Sequence, residues 1–168
     1  MSTLYIITGP AGVGKSTISK EIAKLRNKSA LIEGDEIYHQ VVGSYMSPWK
    51  EGNHLELFWK ICNDVIYNYL ENGYDVVFNY IVDLENLDTL KRNFKQHNIK
   101  FVVLMVDEET LLKRDKERQL DWQMGERCIV LLNSFKNKGY LSNNILDTSK
   151  LSIDETMDII LKEDRFVV

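Results

Sequence analysis

Eight residues near the amino end, Gly9-Pro10-Ala11-Gly12-Val13-Gly14-Lys15-Ser16, leave this chain little freedom in what it folds into. They fit the spacing G-x-x-x-x-G-K-[ST] in full, and Thr17 follows. Before them runs Leu4-Tyr5-Ile6-Ile7-Thr8, apolar and β-branched, the pattern of a buried parallel strand. After them Ile18, Ile22 and Leu25 recur at helical spacing, with Ser19, Lys20, Glu21 and Lys24 on the other side. A glycine-rich turn between a strand and a helix lets successive amides point at one anion without Cβ clashes. The helix N-terminus adds partial positive charge. Lys15 would reach β- and γ-phosphates, and the Ser16 hydroxyl would hold Mg²⁺. The stretch predicts a nucleotide-phosphate site.

A chain of 168 residues is expected to form one domain over 1–168. Hydrophobic residues make up 44% and charged residues 27%, an ordinary globular balance that argues against disorder. A net charge of −4 without any dense Lys/Arg block argues against avid binding to duplex nucleic acid. Cys62 and Cys128 sit in apolar helical patterns, as buried free thiols do. With no signal-peptide pattern and no apolar run of membrane-spanning length, the expected setting is reduced and cytoplasmic.

Ala30-Leu31-Ile32-Glu33 predicts a second strand ending at Gly34-Asp35. Ligands of open parallel sheets bind beyond the carboxyl ends of the strands, which places Asp35 on the rim of the phosphate loop. A carboxylate there would orient an acceptor hydroxyl and take its proton; the plain alternative is a helix N-cap. The segment 36–53 reads as a loop whose Tyr38, His39, Tyr45 and Trp49 are candidate substrate contacts, packing beneath the loop being the other reading.

Farther on, Phe58, Ile61, Cys62, Val65, Ile66 and Tyr69 predict an amphipathic helix over about 55–71. Val76-Val77-Phe78 predicts a third strand ending at Asn79-Tyr80. Asp83 would cap a helix ending near Asn98, and Phe101 to Val106 form a fourth strand. Asp107 ends that strand, but Asp107-Glu108-Glu109-Thr110 reads better as a helix cap than as a metal-holding aspartate. Arg114 and Arg118 share a helical face, and Arg127 follows a polar segment containing Gly125. Cations on a water-excluding flap over about 114–127 suit phosphoryl transfer, with pairing of Arg114 and Arg118 to Asp115 and Glu117 as the alternative. A helix over 126–138 with Val130, Leu131 and Phe135 inward, a fifth strand over 144–147 and a helix opened by the capping box Ser152–Glu155 complete the chain.

Strands alternating with helices predict a doubly wound parallel α/β sheet covered on both faces. With the Walker A stretch and Ile32-Glu33-Gly34-Asp35, the whole chain resembles the small P-loop kinases: gluconate kinase, shikimate kinase, chloramphenicol phosphotransferase and the zeta-toxin-like kinases, nearest to a bacterial branch of ATPase-like kinases. That resemblance implies a three-layer α/β/α fold with strand order 2-3-1-4-5, ATP as donor and Mg²⁺ as cofactor. It implies that Gly9, Ala11, Gly12, Val13, Gly14, Lys15, Ser16 and Thr17 bind phosphate, with Ser16 and Asp35 toward the metal. Asp35 would be the acceptor-side base, and Arg118 and Arg127 the flap cations. Arg114 and the loop Thr148-Ser149-Lys150 would lie toward the nucleotide. Asn79 departs from the pattern, since several nucleotide kinases of this class carry an acid at the end of the third strand.

The expected activity is transfer of the ATP γ-phosphate to a hydroxyl of a small molecule such as a sugar acid or antibiotic, by a monomer or homodimer. A kinase of nucleosides, nucleotides or polynucleotide 5′ ends is the alternative within enzymes. A nucleotide-dependent switch is the alternative of another class, and it lacks a second carboxylate to activate water.

Overall fold

The computed structural model describes residues 2–120 and 123–168. Five strands form one sheet: β1 (Thr3–Thr8), β2 (Ser29–Glu33), β3 (Asp75–Asn79), β4 (Asn98–Met105) and β5 (Ile145–Asp147). Their order is β2-β3-β1-β4-β5, as the resemblance implies, and every pairing is parallel, as the alternation of strands and helices predicts. Helices α1 (Lys15–Leu25), α2 (Gly34–Tyr38), α3 (His54–Glu71), α4 (Leu84–Asn93), α5 (Glu108–Lys116), α6 (Glu126–Lys136) and α7 (Ile153–Lys162) connect and cover the strands on both faces.

Two register relations position the site. Ile7 of β1 and Glu33 of β2 both align with Asn79 of β3. The phosphate loop, Asn79 and the Gly34-Asp35 step therefore leave the sheet at the same rim. At the opposite end Arg26 Nε donates to Asp75 Oδ2 at 2.7 Å, while Asp75 Oδ1 accepts from the Thr3 amide at 2.8 Å. This buttress stands far from the rim.

Several local expectations hold in detail. Asp83 caps α4 by accepting from the Asn86 amide, and Asp107 caps α5 by accepting from the Thr110 amide at 2.7 Å. Ser152 and Glu155 form a reciprocal capping box on α7. Cys62 and Cys128 are buried free thiols, and burial pushes the Cys62 thiol up to about 12.

Other expectations are corrected. Leu25 is 59% exposed, whereas Ser19 is buried beside Ile18 and Ile22, so the inner face of α1, packed on β3 and α7, is turned toward Ser19 and leaves out the last residue of the helix. The buried stripe of α3 is Phe58, Cys62, Ile66 and Leu70; Ile61 and Tyr69 lie outside it. In α6 Phe135 faces inward as expected, but Val130 is 67% exposed, and Cys128 and Leu132 take the inner positions. Helix α4 stops at Asn93 rather than near Asn98, since Asn98 already pairs with Thr3 as the first residue of β4.

One buried charge belongs to the scaffold. Lys100 of β4 donates to the carbonyl oxygens of Ile160, Leu161 and Glu163 at 3.0, 2.8 and 3.1 Å. It thereby satisfies the carboxyl end of α7, where helix carbonyls lack intrahelical partners. Replacing it with an apolar side chain of similar length strands those acceptors. Lys100→Met should lose about 2–4 kcal/mol of unfolding free energy, read by urea denaturation, and a loss below 0.5 kcal/mol (about twofold in the unfolding equilibrium) would refute the capping role.

Candidate functional site

At the rim lies a cleft of about 540 Å³. Ala11 through Ile18, Asp35 and Asn79, and Arg114, Thr148, Leu151 and Ile153 line it, with Asp35 and Asn79 on one flank and Thr148 on the other, and Arg118 lines it as well. The strand order accounts for this division. Asp35 and Asn79 end the strands on one side of β1, and Thr148 follows β5 on the other.

The loop owes its shape to glycine at two kinds of position. Gly12 and Gly14 have φ of +88° and +99°, in the left-handed region that side chains disfavour. Gly9 is buried against β4, where a Cβ would stand 2.4 Å from the Leu104 carbonyl oxygen, and it does not itself line the cleft. Its role is close approach of two backbones. Helix α1 has no side-chain cap at Gly14, so its first amides are left for a ligand.

Lys15 folds its ammonium onto its own loop, donating to the carbonyls of Gly9 and Pro10 at 2.9 Å each. The cleft walls withhold water from it and lower its pKa to about 8; Asp35 opposes that shift and Arg118 adds to it. Lys15 thus lies within the field of both an acid and a guanidinium. Ser16 accepts a hydrogen bond on Oγ from the Asn79 side-chain amide at 3.0 Å.

Gly34 explains how Asp35 reaches this place. A Cβ at Gly34 would lie 2.5–2.9 Å from three atoms of Tyr80, so only glycine lets the chain turn into α2 against that ring. The N-cap of α2 is Glu33, not Asp35, and Asp35 sits in the first turn among the cleft residues.

Arg114 spans the other flank. Its Nη1 donates to the Val13 carbonyl at 2.9 Å and to Thr148 Oγ1 at 3.3 Å, and its Nη2 donates to the Thr148 carbonyl at 3.0 Å. It braces the phosphate loop against the loop after β5. Ser149 accepts from the Asp107 amide and donates to Asp147, and Lys150 is exposed; neither lines the cleft.

In the expected flap, Arg118 lines the cleft and pairs with Asp115 at 3.3 Å. Asp121 and Trp122 lie outside the described residues. Burial alone would raise the Asp115 carboxyl, but the Gly125 and Met124 amides and the Arg118 guanidinium overrule it and hold the group below the usual carboxylate range. Arg127 is not among the described residues of the cleft; its guanidinium packs 5.2 Å from the ring centroid of Trp49.

The acceptor-side aromatics divide. Tyr38 is buried, its hydroxyl donating to the Met46 carbonyl at 2.6 Å and its ring packed on Phe58, so it holds the loop from beneath. His39 and Tyr45 stack on each other near the surface at 5.9 Å, and Trp49 is 72% exposed. None of the four lines the phosphate cleft itself.

Residues 6–121 match the AAA domain family, more than half of the chain. The chain belongs to the AAA domain family. Solved structures similar to this AAA domain include the tunicamycin resistance protein of Deinococcus radiodurans, at 18% identity over 95% of this chain and 94% of that one, with a TM-score of 0.67. A sugar kinase from Janibacter sp. HTCC2649 is similar at 14% identity over 96% and 93%, with a TM-score of 0.73. A gluconokinase from Sinorhizobium meliloti 1021 is similar at 15% identity over 95% and 89%, with a TM-score of 0.70. At such identities the likeness is one of fold, that of the small P-loop kinases. No curated protein matches the sequence. Among the described residues no helix is long and apolar enough to cross a membrane.

Sequence reasoning named Asp115 only as an alternative partner of the arginines, a pairing that Arg118 makes, and treated Asn79 only as a departure. Asn79 was findable from its place at the end of a strand beside β1. Asp115 falls four residues after buried Leu111, an acid on an apolar helical stripe. Gly34→Ala should cost about 1–3 kcal/mol by overpacking against Tyr80. In a Tyr80→Ala background the same substitution should cost little, and equal costs in both backgrounds would exclude the proposed clash.

Proposed function

We propose that this protein is a Mg²⁺-dependent kinase that transfers the γ-phosphate of ATP to a hydroxyl of a small molecule. The observation that carries this reading is the single cleft shared by the Lys15–Ser16 step, Asp35, Asn79 and Arg118. Phosphoryl transfer asks little of a protein beyond positioning and charge, and these groups offer both.

In this reading the amides from Ala11 to Thr17 enclose the phosphates, and Lys15 exchanges its two loop carbonyls for phosphate oxygens. Asp35 accepts the proton of the incoming hydroxyl, while Arg118 meets charge on the transferring group. The donor set suits Mg²⁺, which takes few protein ligands besides phosphate oxygens and water. Ser16 and Asp35 are the residues that would hold it, with Asn79 orienting the Ser16 hydroxyl. When bound, the ion neutralises phosphate charge.

A nucleoside or polynucleotide 5′ end is the second reading for the acceptor. What favours it is the exposed Trp49 ring backed by the Arg127 guanidinium, a surface on which a flat ring would stack. Screening sugars, antibiotics, nucleosides and oligonucleotide ends for ATP-dependent phosphorylation separates the two.

Lys15→Ala should abolish transfer with the fold intact by circular dichroism, and an undiminished rate would end the kinase reading. Asp35→Asn should lower kcat by about 10²–10⁴ with nucleotide affinity nearly unchanged, as for a lost base; loss of affinity alone would make Asp35 a metal ligand only.

The depressed Lys15 pKa also sets a pH dependence. The unliganded site loses the Lys15 proton as pH rises through about 8, whereas a bound polyphosphate favours the charged form. Nucleotide affinity should therefore be flat below pH 8 and weaken by up to about tenfold per unit above it. Calorimetric titration over pH 7–10 checks this, and Lys15→Met should flatten the profile.

A further inference from the structure

We infer that Asp115 is a positioning residue for phosphoryl transfer: its carboxylate ties Met124 and Gly125 to α5 and holds Arg118 at the cleft. The inference rests on the kinase reading above and extends it to a residue that lies beneath the site rather than in it. Asp115 is 2% exposed and follows buried Leu111 by one helical turn on α5.

Its two oxygens gather donors from two separated pieces of chain. The Met124 amide donates to both, at 3.0 and 3.1 Å, and the Gly125 amide donates to Oδ2 at 2.8 Å. Arg118 Nη1 donates to Oδ1 at 3.3 Å. A buried carboxylate is costly unless its charge is paired and its lone pairs are used, and here one cation and two amides do both. Gly125 makes this geometry reachable, for its φ of +55° and ψ of −132° belong to a region that side chains disfavour. The Gly125 carbonyl then accepts from the Cys128 amide at 3.1 Å and from the Cys128 thiol at 2.8 Å, which fixes the start of α6. Gly125 is therefore tied to α5 through its amide and to α6 through its carbonyl.

Arg118 is the member of this knot that also lines the cleft. Its guanidinium has five N–H donors in a rigid fork, so one bond to Asp115 orients the group without exhausting it. An arginine anchored by a buried acid approaches a phosphate with its direction already set. A freely rotating one must be ordered during the reaction, at a cost in rate.

The test compares wild type, Asp115→Asn, Arg118→Ala and the double variant. Two readouts are used: hydrolysis of Mg²⁺·ATP with water as acceptor, and trypsin cleavage after Lys116 and Arg118 in the protein without nucleotide. Asp115→Asn keeps the shape and removes the charge. It should lower kcat about 10- to 100-fold, somewhat less than the loss of a whole charge-stabilising donor. KM for ATP should stay within twofold, and the double variant should be no slower than Arg118→Ala. Trypsin should cut Asp115→Asn at least tenfold faster at those two bonds while the rest of the chain stays protected.

Losses that multiply in the double variant would overturn the inference, as would a KM effect with unchanged kcat. Cleavage spread over the whole chain would make Asp115 a determinant of the fold instead. If wild type and Lys15→Ala hydrolyse ATP equally, the kinase reading fails, and unchanged cleavage at Lys116 and Arg118 would then sink the role of Asp115 separately.

Discussion

Parallel pairing in fixed register is the constraint from which the rest of the structure follows. Because Ile7, Asn79 and Glu33 are aligned across three neighbouring strands, the loops that leave β1, β2 and β3 have no choice of where to meet. A one-residue slip would turn each strand's side chains to the opposite face. It would also break the contact of Asn79 with Ser16 and move Asp35 off the rim. The buried apolar residues of the strands enforce that register through the core. The polar groups of the cleft are thus placed by hydrophobic packing beneath them.

Two braces convert this placement into a shaped site. On one flank Arg114 links the phosphate loop to the loop after β5 through main-chain carbonyls, so the two move together. On the other flank the Tyr80 ring sets the entry of α2 and hence the position of Asp35. Burial in the cleft reduces the proton affinity of Lys15, and nearby Asp35 opposes that loss by more than Arg118 adds to it.

Much of this was legible in the residues. The glycine spacing, the apolar run before it and the helical period after it fixed the phosphate loop, and strand–helix alternation fixed the sheet. Asp83, Asp107 and Ser152 were readable as caps because a cap depends on local chain geometry. What escaped depends on contacts distant in sequence. Nothing in the spacing of Tyr38 tells that its hydroxyl meets Met46, nor that Arg127 rests on Trp49 rather than in the cleft. The inward faces of α1, α3 and α6 were misjudged at Leu25, Ile61 and Val130 because periodicity gives a stripe's direction, while its width depends on what packs against it.

The path of the chain between Tyr38 and Asn53 has one more consequence. It is pinned from below by the Tyr38–Met46 bond and touches α6 through Trp49, yet supplies none of the groups that line the phosphate cleft. In the kinase reading proposed above, recognition of the second reactant and handling of the triphosphate would be borne by different pieces of polypeptide. Such a division lets a lineage, or an engineer, exchange the outward side chains of His39, Tyr45 and Trp49 for others and retarget the scaffold while its anion cage stays as it is.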